Sequence, residues 1–192
     1  MERSAIYRRA LAPIMLLAGV LGLAAAATGL LLHLNATRTF SALWLGTAAI
    51  AVAGSFFIAR RQALKDSEVF WSAPTRRVTQ ALLPPLTAGM ILGLAFGFGL
   101  GAPFIDFTLL LPFLWAFFYG CALHSAGFFM PRGVRLFGWA YIVLASGCLC
   151  CLMIIQPSFD LSGHWLMGFF FGALHLAYGV YLYLTEKKTP VA

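Results

Sequence analysis

The sequence predicts an all-α polytopic membrane protein: one transmembrane domain over residues 1–192, built as a bundle of six membrane-crossing helices with both chain ends in the cytoplasm. Three observations carry this expectation. Hydrophobic residues make up 61% of the 192 and charged residues only 10%, against about 25% charged in an ordinary soluble domain. The charges gather at the ends of long uncharged runs. The basic residues also fall almost wholly on alternate connections.

A helix needs about 20 apolar residues to cross the hydrocarbon core, because it rises about 1.5 Å per residue. Six runs reach that length without an Asp, Glu, Lys or Arg: Ala10–Leu32, Phe40–Ala59, Leu82–Gly101, Phe107–Gly127, Leu136–Ile155 and Trp165–Leu184. The first follows Arg8–Arg9 and contains the Ala24–Ala27 run, features shared with cleaved signal peptides. Its length exceeds a signal core of about 7–15 residues, so it is expected to remain as a span.

Lys and Arg favour the cytoplasmic side. The N-terminal tail holds Arg3, Arg8 and Arg9, and the second connection holds Arg60, Arg61, Lys65, Arg76 and Arg77. Arg132 and Arg135 lie in the fourth connection, and Lys187 and Lys188 follow the sixth run. Only Arg38 falls on the other side. An even number of spans, with both ends inside, satisfies this alternation.

The longest connection, 60–81, is read as a cytoplasmic loop in which Pro74 limits helix formation. Phe70 and Trp71, flanked by Arg60, Arg61, Arg76 and Arg77, form a candidate lipid-surface contact. Trp anchors at headgroup depth while Arg meets phosphate. The same placement turns the +7 net charge toward anionic lipid of the inner leaflet and away from nucleic acid.

Small residues mark helix interfaces in lipid, where close backbone approach replaces the hydrophobic drive. Gly93, Gly97 and Gly101 make two GxxxG steps on the third run, and Gly168 and Gly172 one on the sixth. They predict tight packing within the chain or against a second copy or a membrane partner. Pro84–Pro85 is expected in the first turn of its span, and Pro112 to kink the fourth.

An ionisable residue inside a span is a candidate site by default. His175 shares a stripe with Gly168, Gly172 and Gly179, and His124 one with Ala116, Gly120 and Gly127, so both are expected to face the bundle interior. Cys121 and Cys148 lie at depths where they could meet His175, and thiolate with imidazole suits a soft metal. His124 and His175 differ in depth by about 7 Å, which disfavours a shared haem; His33 and His164 match better. Cys148 and Cys151 are three apart but within an apolar run, and neither a CxxC on a loop nor a paired-His spacing is present, so no cofactor is predicted, with haem or a soft metal as the alternatives to test. All six acidic residues lie outside the runs, which disfavours a proton-coupled carrier. The Asp160–His164 turn is expected to cap the sixth span. Ser125 and His175 sit on the fourth and sixth spans as in rhomboid-type intramembrane proteases, but the GxSG signature is absent.

Phe-Trp-Ser-Ala-Pro-Thr-Arg-Arg (70–77) and His-Leu-Ala-Tyr-Gly-Val-Tyr-Leu-Tyr (175–183) resemble stretches of uncharacterised small six-span bacterial inner-membrane proteins. The resemblance implies a multi-pass protein of the bacterial cytoplasmic membrane and transfers no activity. The expected function is that of a non-enzymatic accessory, sensory or assembly protein. The alternatives are a small transporter or lipid/quinone-binding protein, a haem or metal redox protein, and a membrane-embedded enzyme.

Overall fold

The computed structural model describes residues 5–99, 106–155 and 161–185. Among the described residues there is no strand, and six helices are long and apolar enough to cross a membrane. They are α1 (Ala5–Leu31), α2 (Thr37–Lys65), α3 (Ala73–Gly99), α4 (Phe107–Ala126), α5 (Arg132–Ile155) and α6 (Gly163–Thr185). α3 ends in a π-helical stretch, Ala95–Gly99, and α6 contains another at Gly168–Ala173.

Successive helices run antiparallel. α4 is the most enclosed: it packs on α3 and α5 and reaches α6, while α1 lies between α2 and α6. Three apolar clusters fill the bundle from end to end. Leu11, Met15, Val78, Leu123, Ala126, Met130 and Val134 pack at the end that carries the arginines. Phe113, Ala116, Tyr141, Ala145 and Phe170 occupy the middle. Phe40, Trp44, Phe107, Leu111 and Met167 pack at the opposite end. The outer faces are apolar as well, with Phe57, Val143, Ile154 and Leu184 all more than 60% exposed.

Helix starts follow local chemistry. Asp106 caps α4, its Oδ1 accepting from the Thr108 N–H at 2.8 Å and the Thr108 hydroxyl at 2.6 Å. Ser162 caps α6 by accepting from the His164 N–H at 3.3 Å, as expected of that polar turn. Asp160 itself lies outside the described residues.

The expected loop 60–81 is mostly helical. α2 continues through Arg60, Arg61 and Lys65, and α3 begins at Ala73, which leaves residues 66–72 as the turn. Loss of apolar character marks where a helix leaves oil; it does not end the helix, since Arg and Lys are good helix formers. Pro74 occupies the first turn of α3, where its missing N–H is no loss; it starts a helix there. Pro84 and Pro85 consequently sit deep inside α3 and not at its entry. Pro112 sits inside α4, which continues through it. Its missing N–H leaves the Thr108 carbonyl without an i+4 donor. Gly163 presses against that same carbonyl oxygen so closely that a methyl group at 163 would overlap it.

Glycines set the closest helix contacts. Gly168 and Gly172 face Ala26 and Leu23 of α1. α1 answers with Gly22, whose α-carbon faces the Phe171 carbonyl, and Gly29, which lies against the His164 ring. Gly93 and Gly97 do not share a partner. Gly93 accommodates the Trp115 indole of α4, with a methyl there falling 2.6 Å from Cζ2, and Gly97 packs on Ser41 of α2. Gly101 lies outside the described residues. Gly120 and Gly138 bring α4 and α5 together, a methyl on either lying 2.8 Å from the other's carbonyl oxygen.

Candidate functional site

The polar centre of the bundle forms around His175 on α6, which is 2% exposed. Its Nε2 lies 2.8 Å from the Tyr119 hydroxyl of α4. Its Nδ1 lies 2.9 Å from the Tyr141 hydroxyl of α5 and 3.2 Å from the Phe170 carbonyl oxygen. The Tyr141 hydroxyl also donates to that carbonyl in a short bond. Three helices therefore meet at one imidazole. Rings of Phe137 and Phe171 close around it, with centroids 6.0 and 5.9 Å away.

Only one arrangement of protons serves all four contacts. With hydrogen on Nδ1, the ring donates to the Phe170 carbonyl and leans on the Tyr141 oxygen, while Tyr141 donates to the carbonyl and Tyr119 donates to Nε2. With hydrogen on Nε2, the bare Nδ1 would face a carbonyl oxygen, two acceptors without a proton between them. A neutral imidazole has one donor and one acceptor, and here both are used.

The backbone of α6 takes part. Between Gly168 and Ala173 it widens to i→i+5 bonding, with the Leu174 N–H on the Phe169 carbonyl. Such π-bulges are costly and concentrate at special sites. This one places the Phe170 carbonyl where a tyrosine and a histidine can reach it.

A second buried histidine, His164, is fully enclosed at the opposite end. The Trp44 indole N–H donates to its Nδ1 at 3.2 Å, and its Nε2 lies 3.1 Å from the Leu34 carbonyl oxygen. Because indole can only donate, Nδ1 must accept, so Nε2 carries the hydrogen and donates to Leu34. The ring ties the α1–α2 turn, α2 and α6 together, and Phe40 packs against it with the rings tilted and their centroids 4.9 Å apart.

The remaining sequence candidates are scattered. His124 is half-buried at an outer seam between α4 and α5, flanked by the exposed rings of Phe128 and Trp139 at 5.4 and 5.2 Å. It does not share the interior with His175. The glycine stripe on α6 faces α1, whereas His175, one position round the helix, faces α4 and α5. Cys121 is half-buried and Cys148 is exposed. Among the described residues no three His, Cys, Asp or Glu side chains are grouped to hold a metal ion, so Cys121, Cys148 and His175 do not form a donor set. His33 is exposed and His164 is committed to Trp44 and Leu34, so that pair offers no two free axial nitrogens.

At the arginine-rich end, Arg60, Arg61, Arg76, Arg77 and Trp71 are exposed around the 66–72 turn. Phe70 is half-buried and meets the exposed Phe56 edge-on at 4.9 Å. The turn thus sets one aromatic side chain against the outer face of α2 and leaves the other exposed.

Sequence inspection singled out His175 but missed its partners. Tyr119 and Tyr141, like Tyr178, lie inside apolar runs, and a phenol in oil requires a partner as much as an imidazole does. That pairing of needs was the available signal. No family model matches the chain, and no curated protein or solved structure matches it either.

Proposed function

We propose that this chain is a multi-pass protein of the bacterial cytoplasmic membrane with six spans and both ends inside, acting as a non-enzymatic accessory, sensory or assembly protein. One observation carries the non-enzymatic reading. Both fully buried imidazoles have each ring nitrogen engaged by another group of the same chain, so neither presents a free lone pair or proton to a substrate or metal. A metal-ligating imidazole needs a free nitrogen, and a catalytic imidazole bonded at both nitrogens works between a carboxylate and a nucleophile; the partners here are an indole, two phenols and backbone carbonyls, which supports reading these rings as interior braces. Function then resides on the outer faces and the basic end, in contact with lipid, a membrane partner or a second copy.

The orientation draws support from the bundle itself. The start of α1 and the end of α6 lie together, since Leu16 packs on Gly179. They share that end with Arg60, Arg61, Arg76, Arg77, Arg132 and Arg135. On the proposed orientation, Trp71 and the arginines around it rest at the inner-leaflet headgroups. The lipid- or quinone-binding alternative rests on the Tyr178 hydroxyl, which is buried without a hydrogen-bond partner beside the stacked Phe137 ring.

Absorption spectra and metal analysis of the detergent-purified protein, with reporter fusions at both ends, test the proposal. The expected results are a featureless visible spectrum, metal far below one equivalent and cytoplasmic signals from both reporters. A haem band, a stoichiometric metal lost in His175→Gln, or a co-purified quinone overturns the non-enzymatic reading. Reporters in opposite compartments overturn the topology.

A further inference from the structure

We propose that the outer seam between the end of α4 and the start of α5 is a docking site for the phosphodiester headgroup of an anionic phospholipid. The proposal rests on the membrane reading above and adds to it a defined place and a defined partner.

The seam is built for an anion near its rim. The stem of Arg135 lies against Gly127, where a methyl group would fall 2.6 Å from the Arg135 Cβ, so the side chain leaves the helix in a fixed direction. Its guanidinium sits 5.3 Å from the centroid of the Phe128 ring. An aromatic face orients a guanidinium and leaves its N–H edge free for a second partner. Arg132, exposed, stands three residues earlier, one helical turn nearer the bundle end. No acidic residue occurs in the sequence between Asp106 and Asp160, so neither α4 nor α5 offers these cations a carboxylate.

One turn deeper the seam changes character as a lipid does below its phosphate. His124 stands between the rings of Phe128 and Trp139, which are 59% and 50% exposed. Its Nδ1 is sealed without a hydrogen-bond partner. Placing the ring hydrogen on Nε2 avoids stranding a buried donor and presents Nε2–H to an incoming oxygen. Trp139 adds an amphipathic ring at the same depth, the usual position of Trp at the headgroup–acyl boundary. Cations at the rim, a donor and an aromatic pair one turn below, and apolar helix surface beyond match the order of phosphate, glycerol ester and chain. The helix ends flanking the 66–72 turn have more arginines, but Asp66 and Glu68 lie between them and no comparable aromatic pair brackets a donor there.

The test uses the full chain in a neutral detergent, with phosphatidylglycerol and phosphatidylcholine of identical chains as probes. Native mass spectrometry should show preferential retention of phosphatidylglycerol. Arg132→Gln with Arg135→Gln should reduce that preference about fivefold per arginine removed and leave phosphatidylcholine retention unchanged. Brominated phosphatidylglycerol should quench a fluorescence component that disappears in Trp139→Phe, which reports the site without touching the arginines. Equal retention of the two lipids, a preference that survives the double variant, or quenching unaltered by Trp139→Phe would each overturn the site while leaving the membrane reading intact. Displacement of the lipid by millimolar inorganic phosphate would overturn the lipid assignment in favour of a free anion. Retention of neither lipid, with reporters also outside the predicted compartments, would remove the membrane reading and this site with it.

Discussion

Replacing either tyrosine beside His175 with phenylalanine deletes one oxygen, yet the two changes should differ in cost. In Tyr141→Phe every remaining group keeps a partner. Nδ1–H still donates to the Phe170 carbonyl at 3.2 Å, and Tyr119 still donates to Nε2 at 2.8 Å. The loss is the bond to the carbonyl and the lean of Nδ1–H on the phenol oxygen, with no group left unpaired, at about 0.5–1.5 kcal/mol per bond in general and close to about 0.6 in helix bundles in lipid. In Tyr119→Phe the Nε2 lone pair is stranded on a ring that is 2% exposed. An unsatisfied buried acceptor costs about 1–3 kcal/mol. Tyr119→Phe should therefore be the more damaging, although the bond from Tyr141 to the carbonyl is the shorter one. Unfolding from mixed micelles against SDS mole fraction, followed by tryptophan fluorescence and extrapolated linearly, gives both values on one scale. If Tyr141→Phe proved the costlier, Nε2 would carry the hydrogen, and the proton assignment at the centre of the bundle would be wrong.

The glycine contacts and the second histidine make separate predictions. Gly22→Ala forces a methyl into the Phe171 carbonyl and should lower stability by about 1–3 kcal/mol or more, as overpacking does. Gly46→Ala, with nothing within 4 Å of the added carbon, should be neutral or stabilising by up to about 1 kcal/mol; melting followed by size-exclusion chromatography separates the two. Trp44→Phe removes the donor to a fully buried His164 Nδ1 and should cost about 1–3 kcal/mol in the same micelle titration, without changing the visible spectrum. Replacing Phe70 and Trp71 together with Ser should expose the 66–72 turn to protease in membrane vesicles; unchanged cleavage would refute its contact with the lipid surface.

The number and placement of the helices were legible because a backbone in oil must satisfy its own amides, which makes a long apolar run and a helix nearly the same statement. The ends were less so. Arg60, Arg61 and Lys65 read as a loop because charge marks the edge of the apolar layer, yet nothing in those residues interrupts i→i+4 bonding. Pro74 was read as a breaker when its position made it a start. The α1–α6 contact was half visible. Gly168 and Gly172 stood out as GxxxG, while Gly22 and Gly29, seven apart and so on one face of α1, carry the tightest approaches from the other side.

The two π-helical stretches were invisible to any reading of spacing, because every periodicity argument assumes 3.6 residues per turn along the whole helix. A bulge at Gly168–Ala173 breaks that assumption beside the one residue for which it matters most. The departure has a physical reason. In lipid, apolar contact distinguishes poorly between one helix arrangement and another, since the chains outside are as apolar as the side chains within. A carbonyl that needs a donor, an imidazole that needs one donor and one acceptor, and two phenols on different helices are far more selective, because few arrangements satisfy all of them at once. The widened turn releases the Phe170 carbonyl to join that set, and α4, α5 and α6 are held in one register around it. A buried histidine of this kind reads in sequence like a site of chemistry. Its hydrogen bonds to groups of three helices account for its burial without calling on a substrate or a metal.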